Sequence, residues 1–127
     1  AARRLNELAA KANDQAVVGF AIDRIVELDP FDASGHTGLG RIAMRSRDAA
    51  VAMREFKVAL AIGPADRASA HCDLAESYLL AGRAADAKRE ALAALEIAPS
   101  FERAQDLLLK AIDGSQTPAA KELPRLP

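Results

Sequence analysis

The chain has 127 residues, enough for one core that buries roughly two-thirds of the unfolded surface and too few for two. Half of the residues are hydrophobic, only 4% are aromatic and 30 are alanine, so the apolar content lies mostly in the smallest helix-compatible side chain and favours closely packed helices. A net charge of −1 gives no overall attraction to nucleic acid or to an anionic membrane surface, and the single cysteine, Cys72, excludes an intrachain disulfide scaffold while leaving cytosol and periplasm both open.

No apolar run approaches the roughly 18 residues of a membrane span. The opening Ala-Ala-Arg-Arg-Leu-Asn-Glu lacks the apolar stretch of a signal peptide. The first residue is not methionine, and the expectation is a piece of a larger protein.

Three prolines set a rhythm along the chain. Pro30, Pro64 and Pro99 each close a helical run of similar shape (Ile25-Val-Glu-Leu-Asp-Pro30, Ala59-Leu-Ala-Ile-Gly-Pro64, Ala94-Leu-Glu-Ile-Ala-Pro99), spaced 34 and then 35 residues apart. Such a period marks repeated supersecondary units. The breaks Asn13-Asp14, Ser46-Arg47-Asp48 and Gly82-Arg83 divide each unit in two, and Asp32, Asp66 and Ser100 stand where a side-chain oxygen can cap the next helix. In chain order the pattern predicts helices over 2–12, 15–28, 33–45, 48–61, 67–81, 84–97 and 101–112. The last stops at Gly114, and 114–127 reads as an extended, proline-punctuated tail with Leu123 and Leu126 as anchors.

Counted from the first residue of each unit, packing positions recur at fixed offsets. The second unit, from Ala33, places Leu39, Gly40, Ala43, Ala52, Phe56, Ala59 and Pro64 at offsets seven, eight, eleven, twenty, twenty-four, twenty-seven and thirty-two. The third, from Ala68, places Leu74, Ala75, Tyr78, Ala87, Ala91, Ala94 and Pro99 there, and the first gives Leu5, Asn6, Ala9, Val18, Ile22, Ile25 and Pro30. Small residues at eight, twenty and twenty-seven let helix backbones approach, while the larger ones fill the space between.

This pattern resembles the tetratricopeptide repeat family, which has two antiparallel helices per 34-residue unit with small residues at those offsets and proline at thirty-two. The resemblance covers residues 1 to about 101 and one further helix. It departs from the family at Asn6, Ile25 and Ala91, and at His36 and His71, where a large apolar residue is expected at offset four. It implies an all-α, superhelical array of antiparallel helical hairpins, a right-handed α-solenoid. Its domain would span 1–113, with repeats at about 1–32, 33–66 and 68–101 and a capping helix at 101–112.

Catalytic constellations fare poorly in this register. His36 and His71 fall on successive first helices, about one helix spacing of 10 Å apart, too far to share a zinc ion. Neighbouring helical residues point about 100° apart, so Cys72 beside His71 is not a thiolate pair. Gly38-Leu39-Gly40 lies inside a predicted helix and is no phosphate cradle. The expectation is a protein that is not an enzyme, with no cofactor and no metal.

The resemblance further implies that first helices line a concave groove at offsets two, five, six, nine, twelve and thirteen. These are Arg3, Arg4, Glu7 and Lys11 in the first unit, and Thr37, Arg41, Met44 and Arg45 in the second. The third contributes Ser69, Cys72, Asp73, Glu76, Leu79 and Leu80, and the cap Arg103, Asp106 and Lys110. A basic sector (Arg3, Lys11, Arg41, Arg45) then adjoins an acidic one (Asp73, Glu76, Asp106), with Met44, Leu79 and Leu80 as apolar contacts. The positions of the family's chaperone-tail clamp hold Arg3, Glu7, Gly38, Ser69 and Asp73, so that activity does not carry over.

The expected function is a non-catalytic protein-interaction module holding a peptide or partner protein in the groove by guanidinium contacts. The alternatives are an accessory domain of a larger bacterial enzyme such as a peptidase or transferase, and a module that self-associates through its tail. Neutral charge and an acidic third unit argue against nucleic acid, and no membrane insertion is expected.

Overall fold

The computed structural model describes residues 23–24 and 29–122. Of the first predicted repeat only a helical Asp23-Arg24 and residues 29–32 are described, and the anchors Leu123 and Leu126 lie outside the described residues. Five helices follow one another: α1 (Ala33–Arg45), α2 (Ala49–Ile62), α3 (Arg67–Leu80), α4 (Ala84–Ile97) and α5 (Glu102–Glu122). The described chain is all-α. Each helix packs on its successor, α1 also touches α3 and α3 touches α5, whereas α2 and α4 are not in contact. The first helices α1, α3 and α5 thus contact one another in succession, and the second helices α2 and α4 do not touch each other.

The core is built from the recurring small positions. Ala52, Ala59, Ala75, Ala87, Ala91, Ala94, Ala104 and Ala111 are buried, and Phe56, Leu74, Tyr78 and Leu107 fill the gaps between them. The two described hairpins solve the same packing problem with the bulk exchanged. The α1/α2 hairpin has a ring at offset twenty-four, Phe56, opposite Ala43 at offset eleven. The α3/α4 hairpin has the ring at offset eleven, Tyr78, opposite Ala91 at twenty-four, and all four are buried. Gly40 completes the exchange: a β-carbon there would lie 2.6 Å from Phe56 Cδ1, so the Phe56 ring rests on bare α1 backbone. At the matching position the second hairpin carries Ala75 beside the small Ala91. Local volume is conserved while its owner changes, as close packing requires.

Turns and caps set the helix ends. Asp32, Asp48 and Asp66 accept from the backbone N–H of Ser34, Val51 and Ser69, satisfying donors that an α-helix leaves unpaired. Ser100 does not act as predicted, because α5 begins two residues later at Glu102. Both hairpin turns close in the same way. Asp48 N–H donates to Ala43 O and Arg83 N–H to Tyr78 O, each at 2.8 Å, around a left-handed residue that is Gly82 in the second turn and Arg47, at φ 59°, in the first.

The largest departure from expectation is α5. It does not stop at Ile112 but runs to Glu122, so residues 114–122 are helical and not extended. A glycine at this place in the pattern predicts a helix end, but Gly114 lies inside α5. Its place is instead a close approach, where an added β-carbon would lie 3.3 Å from the Ala84 β-carbon at the start of α4.

Arginine in the left-handed region costs about 1–2 kcal/mol that glycine avoids. Arg47→Gly is therefore expected to stabilise the chain by about 1 kcal/mol, measured as a higher urea midpoint with unchanged slope.

Candidate functional site

Register places one charged residue of each first helix next to the following one, and α1, α3 and α5 carry a shared network. Asp73 on α3 is buried. Its two oxygens take Arg103 from α5 at 2.7 Å and Arg41 from α1 at 3.4 Å. Arg103 also donates from Nε and a terminal nitrogen to Glu76 Oε1, at 3.1 and 2.9 Å. One guanidinium therefore spans two carboxylates across the α3–α5 junction, a charge-assisted arrangement.

At the α1–α3 junction a cleft of about 250 Å³ opens instead. Ser34, Thr37, Gly38 and Arg41 line it from α1, and Asp66, Ser69, Ala70 and Asp73 from the α3 side. Thr37 Oγ1 turns back to donate to Ala33 O. Ser69 caps with Asp66 through its N–H and its hydroxyl, at 3.0 and 2.7 Å, and these bonds hold the Asp66 carboxyl below the usual carboxylate range.

Among the groove residues read from sequence, Thr37, Arg41 and Asp73 line this cleft, and Glu76 and Arg103 extend the same face. Met44 is half-buried against the core, and Leu80 is also half-buried. Arg45, Asp106 and Lys110 are exposed. Arg3 and Lys11 lie outside the described residues. One expectation needs correction. Cys72, placed in the groove by its offset, is fully buried in the core, and burial pushes its thiol pKa up, away from reactivity. Arg41 of the basic sector meets Asp73 of the acidic one across the α1–α3 junction, and Arg103 reaches Asp73 and Glu76 from the other side.

Sequence reasoning noticed His36 and His71 but missed their partners. His36 Nδ1 lies 2.7 Å from Glu55 Oε2, and His71 Nδ1 lies 2.7 Å from Glu90 Oε2. Each pair joins the two helices of one hairpin, and each spans 19 residues; that doubled spacing was the signal available. His36 Nε2 also donates to Pro30 O at 2.7 Å, and Gln105, at the same offset on α5, donates to Pro99 O at 3.0 Å. At two of the three described offset-four positions, His36 and Gln105, a polar side chain thus holds the carbonyl of the proline turn before it.

Both acceptors of His36, a carboxylate and a carbonyl, require a proton on each ring nitrogen. Burial alone would lower its pKa, but the Glu55 carboxylate, the Pro30 carbonyl and the charge of Asp32 together leave it raised.

Among the described residues no His, Cys, Asp and Glu grouping could hold a metal ion, and no helix is long and apolar enough to cross a membrane. Compared with protein-family models and with curated proteins, the chain finds no match. Its functional reading therefore rests on its own residues.

A raised histidine pKa gives stability that is complete below the unfolded value of about 6.5 and is lost as pH climbs through the folded value. Urea titrations of wild type and His36→Gln are expected to differ most near pH 5.5, with wild type the more stable. The gap should narrow steadily toward pH 8.5. A gap that is constant or widens would contradict a doubly protonated His36.

Proposed function

We propose that this chain is a tetratricopeptide-like, non-catalytic interaction module that holds an extended segment of a partner protein against the α1/α3/α5 face. The observation that carries this reading is the cleft between α1 and α3, with Thr37, Arg41, Ser69 and Asp73 around it. At about 250 Å³ it is smaller than the roughly 300–1,000 Å³ typical of small-molecule and cofactor pockets. It suits individual side chains of an extended peptide lying across the helices.

The chemistry of the face supports the same conclusion. Its functional groups are guanidinium donors, hydroxyls and carboxylates already engaged in hydrogen bonds, a set suited to orienting a chain and not to breaking bonds. Arg45, one turn beyond Arg41 on α1 and exposed, extends the donor surface past the cleft. A superhelical stack would continue this face across all the first helices. The recurrence of packing positions at matching offsets in two described hairpins supports that arrangement.

Charge reversal tests the face directly. Proteins captured by the wild-type chain should be recovered at least tenfold less by the Arg41→Glu, Arg45→Glu variant, the loss of two charge-assisted contacts, with unchanged far-UV circular dichroism. Undiminished capture by the helical double variant would place binding elsewhere.

A further inference from the structure

The two junctions between first helices are the same site built twice, once filled and once empty. In the α3–α5 junction, offset two of the later helix is Arg103, which reaches offsets six and nine of the earlier helix, Asp73 and Glu76. In the α1–α3 junction the equivalent residues are Ser69, Gly38 and Arg41. Serine and glycine replace the long arginine and the aspartate, and the cleft occupies the vacated space. The third position is inverted in charge, with a guanidinium where the filled junction has a carboxylate.

We infer that the α1–α3 cleft is a specificity pocket for a glutamate side chain carried by an extended segment of a partner protein, whose carboxylate pairs with Arg41 as Glu76 pairs with Arg103. The inference rests on the peptide-binding reading above and names its ligand chemistry.

Other charges at the cleft do not favour a basic guest. Asp66 already takes both the N–H and the hydroxyl of Ser69. Asp73 is held at 2.7 Å by Arg103. Arg41 differs. Its side chain is 56% exposed and makes one contact of 3.4 Å to Asp73, leaving most of a five-donor guanidinium available for a bidentate carboxylate. The Thr37 and Ser69 hydroxyls on either wall already donate to Ala33 O and Asp66, so Arg41 is the side-chain donor at the cleft left for a carboxylate guest. Gly38, which costs helix stability relative to alanine, brings no side chain into the cleft from the α1 side.

The test titrates the ¹⁵N-labelled chain at low salt with three Gly/Ser octapeptides that differ only at one central residue, Glu, Gln or Lys. The Glu peptide is expected to bind roughly ten- to hundredfold more tightly than the Gln peptide, the worth of a charge-assisted hydrogen bond. Shifts should centre on the amides of Thr37, Gly38, Ser69 and Ala70. Arg41→Gln should erase the preference for Glu over Gln. Ser69→Glu should block binding by supplying the carboxylate from within the chain, at a helix position where glutamate is favourable, without loss of thermal stability. Equal binding of the Glu and Gln peptides, tighter binding of the Lys peptide, or shifts remote from the cleft would overturn the pocket and leave peptide binding by the face intact. Failure of all three peptides to bind at about 10 mM, where even millimolar affinity saturates, would overturn both.

Discussion

Everything in this fold depends on how little side chain stands between its helices. Where α1 crosses α2, a phenylalanine ring lies directly on glycine backbone; elsewhere alanines at recurring offsets are buried almost completely. Short helices of about fourteen residues are marginal alone, so their persistence follows from the apolar faces they bury against neighbours. The exchange of bulk between Phe56 and Tyr78 indicates that local volume, and not any single residue, is what each hairpin must keep.

Close approach has a polar counterpart. Helices packed this tightly bring histidine and glutamate from opposite arms of a hairpin within 2.7 Å, once in each described unit. His36 and Gln105 also hold the carbonyls of the proline turns before α1 and α5, so polar side chains tie each described hairpin together and two of the helices to their preceding turns. Between first helices, the residues that face each other decide whether a junction is bridged, as by Arg103, or open, as beside Arg41. Function on this reading is a packing result: the cleft exists because serine and glycine stand where the neighbouring junction has arginine and aspartate.

Helix positions were legible in the sequence to within about a residue from α1 to α4, because proline, aspartate caps and small-residue offsets mark the boundaries independently. The convergence of Arg41, Asp73, Glu76 and Arg103 was legible for the same reason, since offsets on successive first helices share a face. Their pairing was not, because it depends on the reach of arginine across a junction whose width sequence does not state. Cys72 went astray because an offset gives an average direction, and a small residue beside a long helix contact is covered by its neighbours. Gly114 misled because glycine serves both helix termination and close approach, and only the position of Ala84 separates the two. The glutamates opposite His36 and His71 stand at the same 19-residue separation in both hairpins, a signal that the apolar pattern of offset four conceals.

The most direct measurement is a double-mutant cycle between Gly40 and Phe56 by urea denaturation. In the wild-type background Gly40→Ala should destabilise by about 1–2 kcal/mol, as overpacking against the ring outweighs the better helix propensity of alanine. In a Phe56→Ala background the same change should stabilise by about 1 kcal/mol, because that pair then reproduces the Ala75 and Ala91 arrangement of the second hairpin. A change of the same sign and size in both backgrounds would contradict the account, since the ring would then not be what holds α1 and α2 at their observed separation.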